Sequence, residues 1–589
     1  MGIPGYFKQL AKDPDVLFWD TDIKNEYFFM DYNAWIYGSI PKYLSKNINK
    51  LPKMNKVNIE KGLIEQILKD TINVVTQIVK PSKLLYLAFD GPPPRAKIEQ
   101  QRLRRYKGYQ GSIFIKELKH KYGLDAEEYF NTTALSPGTV FMSKLSTALQ
   151  KAINENKFKS KNSDDDFTII LSDTTVPGEG EHKIIPYIKD NLKNEKDICI
   201  FSDDADLILL SMTIADREHR IHILKTQGLP DDYKEIGFLY LKVNEVEDKL
   251  YKFIGLLDYD KIRVLYDYVF ILSLFGDDFI KHLPSLNLIN YKHQEMLLYI
   301  YKNILRKHKK HLIQLKDNKN NKKNVSINNH FFIDLLIELS KKEQTSLQFE
   351  QTTLKRRCSK PYIDRDGRTG YEYEIAAFEH SLYCQKENPF YSEYKDEINI
   401  INYFQDKHLW KKQYYEYFFG LKNNNYNNGR SKICKAYINS LRFTIDYYVN
   451  SSPPSWNYFY PYRVAPFVSD LVTNLKQNKI NINKVNFEVG KPCTPFQQLM
   501  LIIPPQLSKF IPKEYAELMT KKTSPIIKYY PTEFKLDAAA GLKREKTEAL
   551  LGDINDKEIF EAMDKVNSKL NNSQIKRNTL SKNIVIKKK

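Results

Sequence analysis

The chain has 589 residues, 42% of them hydrophobic and 13% aromatic, and its 91 Lys and Arg exceed its 72 Asp and Glu to give a formal charge of +19. That apolar content excludes wholesale disorder and suffices for several domains or one large catalytic body. The cationic excess favours a polyanionic partner, nucleic acid first and an anionic membrane surface second. Five cysteines without a Cys-x-x-Cys pair exclude a zinc cassette or a disulfide framework and fit a reducing compartment.

The opening "MGIPGYFKQL" lacks a signal-peptide core, and Tyr6 stands where a myristoylation motif needs Ser or Thr, so a soluble intracellular protein is expected. "YFFMDYNAWIY" (27–37) and "KLLYLAFD" (83–90) read as strands ending near aspartates, with a helical pattern over 59–80 between them. Six cations follow Asp90: Arg95, Lys97, Arg102, Arg104, Arg105 and Lys107. On a helix, Lys97, Gln101, Arg104 and Arg105 share one broad face, where they offer bidentate, point-charge and amide contacts to phosphate. Helical patterns at 137–156 and 180–191 alternate with strands at 166–173 and 197–206. The alternation predicts an α/β domain with a mainly parallel sheet, whose ligands lie beyond the carboxyl ends of the strands.

Acidic residues gather at those ends. Taken singly, each is an ordinary turn or capping residue. In "SDDADLI" (202–208), an extended backbone would turn Asp204 and Asp206 to one side and Asp203 away. In "VPGEGEHKII" (176–185), Pro177, Gly178 and Gly180 make an irregular turn into a helix, which lets Glu179 and Glu181 point into one site. "LFGDDFIKHLP" (274–284) adds Asp278 after an apolar run too short to span a bilayer. Asp31, Asp90, Glu179, Glu181, Asp204, Asp206 and Asp278 would repel one another unless cations intervene, and an all-oxygen set selects Mg²⁺ or Mn²⁺. Two such ions roughly 3.5–4 Å apart support phosphodiester hydrolysis.

Residues 306–329 are polar, cationic and without period, and read as an insertion or linker. A second block covers 330–565, helical at first and rich in aromatics at 443–467. The stretch 566–589 reads as a basic disordered tail.

"MGIPGYF", "AFDGPPPRAKIEQQRLRR", "LSPGTVFM", "VPGEGEHKI", "DADLILL" and "FGDDFIKHLPSL" resemble, in order, the motifs of the Xrn-type 5′→3′ exoribonucleases. "PPSWNYFYPYRVAPFVSDL", "GKPCTPFQQLM" and "SPIIKYYPTEF" look like that family's second region. The resemblance implies a PIN-like α/β nuclease core over 1–305, completed by a helix-rich, aromatic second region. It implies processive, Mg²⁺-dependent removal of nucleotides from single-stranded RNA with a 5′-monophosphate, by a monomer in cytoplasm or nucleus. The seven acids fall on the family's metal-binding positions, and Lys97, Gln101, Arg104 and Arg105 on its pocket for the 5′ phosphate. Tyr37 replaces the family's base-stacking histidine. Phe443 stands for its stacking tryptophan, with Trp456 the alternative. Ala34, Glu99, Asp203, Asp277 and Lys281 also depart from the family pattern, and none of them removes a metal-ligating acid. A flap-type DNA nuclease and a non-catalytic RNA-binding scaffold are the rival readings.

Overall fold

The computed structural model describes residues 13–587 except 21–22, 126, 194, 205, 215–218, 288–289, 318–322, 359–360, 365, 385–402, 451, 478–479 and 538–547. The opening motif therefore lies outside the described residues. An eight-stranded sheet forms the centre, in the order β1-β7-β6-β5-β2-β3-β4-β12. Its strands are β1 (Leu17–Phe18), β2 (Tyr27–Asp31), β3 (Leu84–Ala88), β4 (Thr168–Ser172), β5 (Asp197–Phe201), β6 (Arg220–Lys225), β7 (Leu239–Lys242) and β12 (Ile584–Lys587), while β10 (Lys535–Asp537) and β11 (Glu548–Leu550) pair apart from it. The five from β6 to β4 run parallel, and antiparallel strands close both edges. Successive residues face opposite sides of a strand. Phe29, Tyr86 and Ile200 accordingly enter one core and Phe28, Leu87 and Phe201 the other. Both faces are covered, as a parallel sheet requires.

Helices α1 (Tyr32–Lys46), α2 (Lys56–Asn73) and α4 (Val140–Asn154) cover one face. Helices α5 (Glu181–Asn191), α6 (Asp206–Met212) and α7 (Lys261–Leu272) cover the other. The long α3 (Arg95–Lys121) follows β3. α8 (Tyr291–His308), α9 (Asn329–Cys358) and α10 (Tyr426–Asn450) belong to the helical part of the chain. Phe270, Tyr301, Phe332, Tyr437 and Phe443 sit in one cluster, so the packing does not break at residue 305. A third cluster joins Ile98 of α3 to Phe496 and Leu499 of α11 (Pro495–Ile502). Among the described residues, no helix is long and apolar enough to cross a membrane.

Four expectations are corrected. The strand predicted over 27–37 ends at Asp31, because Tyr32, Trp35, Ile36, Ser39, Ile40 and Tyr43 are buried at helical spacing. The strand predicted over 197–206 ends at Phe201, and Asp206 opens α6 instead of lying on extended chain. The stretch 306–329, read as an insertion or linker, is not irregular: it holds the end of α8 and the antiparallel pair β8 (Ile313–Asp317) and β9 (Lys323–Ile327), whose Ile313, Val325 and Ile327 are buried. Alternation of two apolar positions per strand was masked by the lysines and asparagines between them. The supposed disordered tail holds α12 (Asn572–Asn578) and β12, which pairs with β4 over Ile584–Lys587. "IVIK" has β-branched residues at three successive positions, and the open edge of β4 supplies the partner that a sequence reading lacks.

Candidate active site

Chain order reverses between β5 and β2, and the carboxyl ends of the parallel strands are level there: Asp31 lies beside Ala88, Met30 beside Phe201 and Ala88 beside Ser172. Such a switch point opens a crevice above the strand ends. Asp31 ends β2, Asp90 follows β3 and Asp204 follows β5. Glu179 and Glu181 arrive on the turn between β4 and α5, and Asp278 on the turn after α7.

The glycines of that turn are needed for two different reasons. Gly178 has φ +104°, a conformation other residues rarely adopt. A Cβ on Gly180 would stand 2.8 Å from Asp31 Oδ1 and 3.1 Å from the Ala88 carbonyl. The bare backbone instead donates its N–H to Asp90 Oδ1 at 2.9 Å. Lys183 secures the same junction from below, donating to the Phe89 carbonyl at 2.6 Å and the Asp173 carbonyl at 3.2 Å.

Carboxylate oxygens of Asp31, Asp90 and Glu181 lie within 4.8 Å of one another, and Glu179, Glu181 and His182 form a second such group. Burial, then the charges of Asp90 and Asp204, raises Asp31 well above the usual carboxylate range. Glu181 rises in the same way through burial and the charges of Glu179 and Asp31. Asp206 rises through burial and the Asp204 charge. Burial also lifts Glu179, against the pull of Lys97. Burial presses Asp278 upward too, but Lys97 outweighs it and holds that carboxyl below its ordinary range. Among the described residues, Glu179 Oε2 and Asp206 Oδ1 are buried without a hydrogen-bond partner. Acids buried or half-buried, crowded together and in two cases left with an orphaned oxygen form a site that could hold cations.

α3 reaches this cluster at one end. Lys97 Nζ meets Glu179 Oε1 at 2.5 Å and also pairs with Asp278, while Gln100 Nε2 donates to Asp278 Oδ1 at 2.5 Å. Lys97 therefore stands among the acids. Gln101 accepts from the buried Gln498 of α11 at 2.9 Å. About two turns beyond Lys97, Arg105 donates to the hydroxyls of Thr133 (3.2 Å) and Ser136 (2.8 Å). Its Nε is buried without a partner, and no carboxylate pairs with it among the described residues. Burial and the neighbouring Arg104 charge depress its pKa, and the Tyr37 phenol interacts with it. Tyr37 itself is 39% exposed on α1.

Phe443 is 1% exposed, packed among Phe279, Tyr447, Tyr458 and Phe487. A ring so enclosed offers no face to a base in this structure. Trp456 is half-buried, and its carbonyl accepts the Arg95 N–H at 2.9 Å. The aromatic wall next to the acids is made by Tyr447, stacked on His182 with centroids 3.8 Å apart.

The departures from the family pattern bring their own partners. Glu99 pairs with Arg95 at 2.7 Å, and Lys281 pairs with Glu548. Asp203 turns away from the acids to accept from the N–H groups of Thr226 (2.9 Å) and Gln227 (3.0 Å). Asp277 accepts from those of Phe279 (2.8 Å) and Ile280 (3.0 Å). Sequence reasoning missed Gln100, although it lies three residues from Lys97 on the same helix, and missed Lys183, whose contacts are to backbone carbonyls.

A parallel sheet with its acids at the switch point, closed by a helical and aromatic region, defines the class. Residues 1–227 match the XRN 5′-3′ exonuclease N-terminus, and residues 258–360 and 342–589 match the Xrn1 helical domain. The chain belongs to the XRN 5′-3′ exonuclease family. It is 29% identical to human 5′-3′ exoribonuclease 1 over 86% of this chain and 31% of that protein. It is 26% identical to Arabidopsis thaliana 5′-3′ exoribonuclease 2 over 87% of this chain and 61% of the relative. Identity to Saccharomyces cerevisiae 5′-3′ exoribonuclease 1 is also 26%, over 87% and 40%. The chain thus spans between 31% and 61% of the length of these relatives.

Proposed function

We propose that this chain is a Mg²⁺-dependent 5′→3′ exoribonuclease that removes nucleotides processively from RNA bearing a 5′-monophosphate. The observation that carries the reading is Arg105, a guanidinium held by neutral hydroxyls, with its Nε orphaned, on the helix whose other end enters the acid cluster. An unneutralised, partly desolvated cation beside Arg104 is a receptor for a compact dianion. Family membership and the names of the relatives support the same reaction.

Asp31, Asp90, Glu179, Glu181, Asp204, Asp206 and Asp278 would hold two divalent ions, and the orphaned oxygens of Glu179 and Asp206 and the all-oxygen chemistry fit hard cations. When bound, such ions activate a water and stabilise the leaving oxygen of a phosphodiester. The chain's residues set the geometry around that chemistry. Gly180 N–H and Lys183 fix the Asp90 junction, while Lys97 spans Glu179 and Asp278. Arg104, Arg105 and Gln101 receive the terminal phosphate, and Tyr37 stacks on the first base. A 5′-hydroxyl leaves the arginines without their anion, and a cap or triphosphate is too large for an enclosed site.

Matched RNAs with 5′-monophosphate, triphosphate, cap or hydroxyl ends, digested over time with and without Mg²⁺, test the proposal. Stepwise mononucleotide release from the monophosphate substrate alone, only with the ion, is expected. Internal cleavage, or equal rates on all four ends, would sink it. Cleavage of branched DNA in preference to RNA would favour a flap nuclease, but the match of the helical region to the Xrn1 helical domain argues against that outcome.

A further inference from the structure

The segment after Leu570 crosses both ends of the site. Asn571 and Gln574 form a capping box at the start of α12, and Asn578 Oδ1 accepts the Phe496 N–H at 2.8 Å. Arg577 lies over the Phe496 ring, 5.2 Å from its centroid, and its Nη1 donates to the Gly138 carbonyl at 2.5 Å. Gly138 is two residues beyond Ser136, whose hydroxyl accepts from Arg105. The loop is short and closed on itself: Ser136 N–H donates to the Thr133 carbonyl at 3.1 Å, and Thr139 Oγ1 to the Ser136 carbonyl at 3.0 Å. Farther along, Ser581 N–H donates to the Thr175 carbonyl at 3.0 Å, on the turn that carries Glu179. Its hydroxyl lies 2.7 Å from that of Thr175.

We infer that Arg577 is a positioning residue for the terminal-phosphate pocket, clamping the Thr133–Gly138 loop at the Gly138 carbonyl while Arg105 holds its hydroxyls. The inference rests on the exoribonuclease reading given above. Two guanidinium groups from distant parts of the chain grip one six-residue loop, Arg105 through its hydroxyls and Arg577 through a backbone carbonyl. Among the described residues no carboxylate pairs with either, so neither charge is cancelled where a phosphate would bind. Burial lowers the Arg577 pKa, in keeping with a guanidinium held in packing and not waving in solvent. Stacking on Phe496 fixes the plane of the group, so its donor meets Gly138 in one direction. If the clamp is lost, the hydroxyls of Thr133 and Ser136 are free to shift, and with them the fork that faces the phosphate.

The test uses the full chain with Arg577→Ala and Arg577→Lys, measuring KM and kcat on 5′-monophosphate and 5′-hydroxyl RNA, together with amide hydrogen exchange over 133–139. Arg577→Ala is expected to raise KM for monophosphate RNA about tenfold, corresponding to one charge-assisted contact's worth of orientation, with kcat within about twofold. Hydroxyl-ended RNA should change less than about threefold, and exchange in the loop should quicken. Arg577→Lys keeps a donor for the carbonyl and should recover most of the preference; it also serves if the alanine variant does not fold. Full retention of the preference in Arg577→Ala, equal losses on both RNAs, or a lysine variant no better than alanine would each overturn the role of Arg577. A wild-type chain without monophosphate preference would instead overturn the pocket itself.

Discussion

Lys97 and Arg105 sit on one helix face, about 12 Å apart along the axis, and meet opposite surroundings. Lys97 is buried between two carboxylates, so its charge is spent inside the protein. Arg105 is surrounded by hydroxyls, a phenol and another arginine, so its charge remains available to a ligand. The same cationic pattern in sequence therefore meets two environments, and only the third dimension separates them. On the proposed reading, one end of the helix organises acids and the other receives an anion.

The largest losses are expected at the acids. Asp206→Asn keeps shape but removes a charge from the cluster, and hydrolysis should fall by at least about 10²–10³-fold, while RNA affinity in a gel-shift assay stays within a few-fold. Near-normal turnover at saturating Mg²⁺ would remove Asp206 from the site. Next comes Lys97→Met. Without divalent ions it leaves Glu179 and Asp278 buried and uncompensated, a change that typically costs about 3–5 kcal/mol. Thermal unfolding in chelator should show that loss and recover on addition of Mg²⁺. A loss that ignores the ion would mean that Lys97 matters only for packing.

Smaller effects belong to the other end. Arg105→Ala should forfeit about 1.5–3 kcal/mol of the advantage of monophosphate over hydroxyl ends, read as the ratio of kcat/KM values, with hydroxyl-ended RNA little affected. Equal losses on both substrates would demote Arg105 to a general attractor of the RNA backbone. The mildest is Tyr37→Ala, expected to slow degradation roughly tenfold through lost stacking, with Tyr37→His close to wild type. Alanine and histidine variants that behave alike would refute stacking.

Much of this was legible in the chain. Paired burial on both faces of β2, β3 and β5 follows from their continuous apolar runs, and the acids at their ends follow from where those runs stop. The roles within the α3 face were not legible, because helical spacing says which residues are neighbours but not what each meets across the gap. Phe443 illustrates the same limit: an aromatic residue on an aromatic-rich helix is equally suited to core and to stacking, and here the core claimed it. Arg577 gave no signal at all. Its segment is lysine- and asparagine-rich, and its order depends on a strand edge and a ring contributed by distant parts of the chain.

That edge has a consequence for how the molecule is made. Ser581 meets Thr175 across 406 residues of chain, and Arg577 meets Gly138 across 439. At roughly 5–20 residues per second, a ribosome needs on the order of 20–80 s to emit the residues between such partners. Throughout that interval the outer side of β4 faces solvent as an unpaired strand, a surface open to wrong partners. The loop beside the arginines lacks its second clamp for as long. A chain whose proposed substrate is RNA is thereby left unfinished while it is still tethered to the message encoding it.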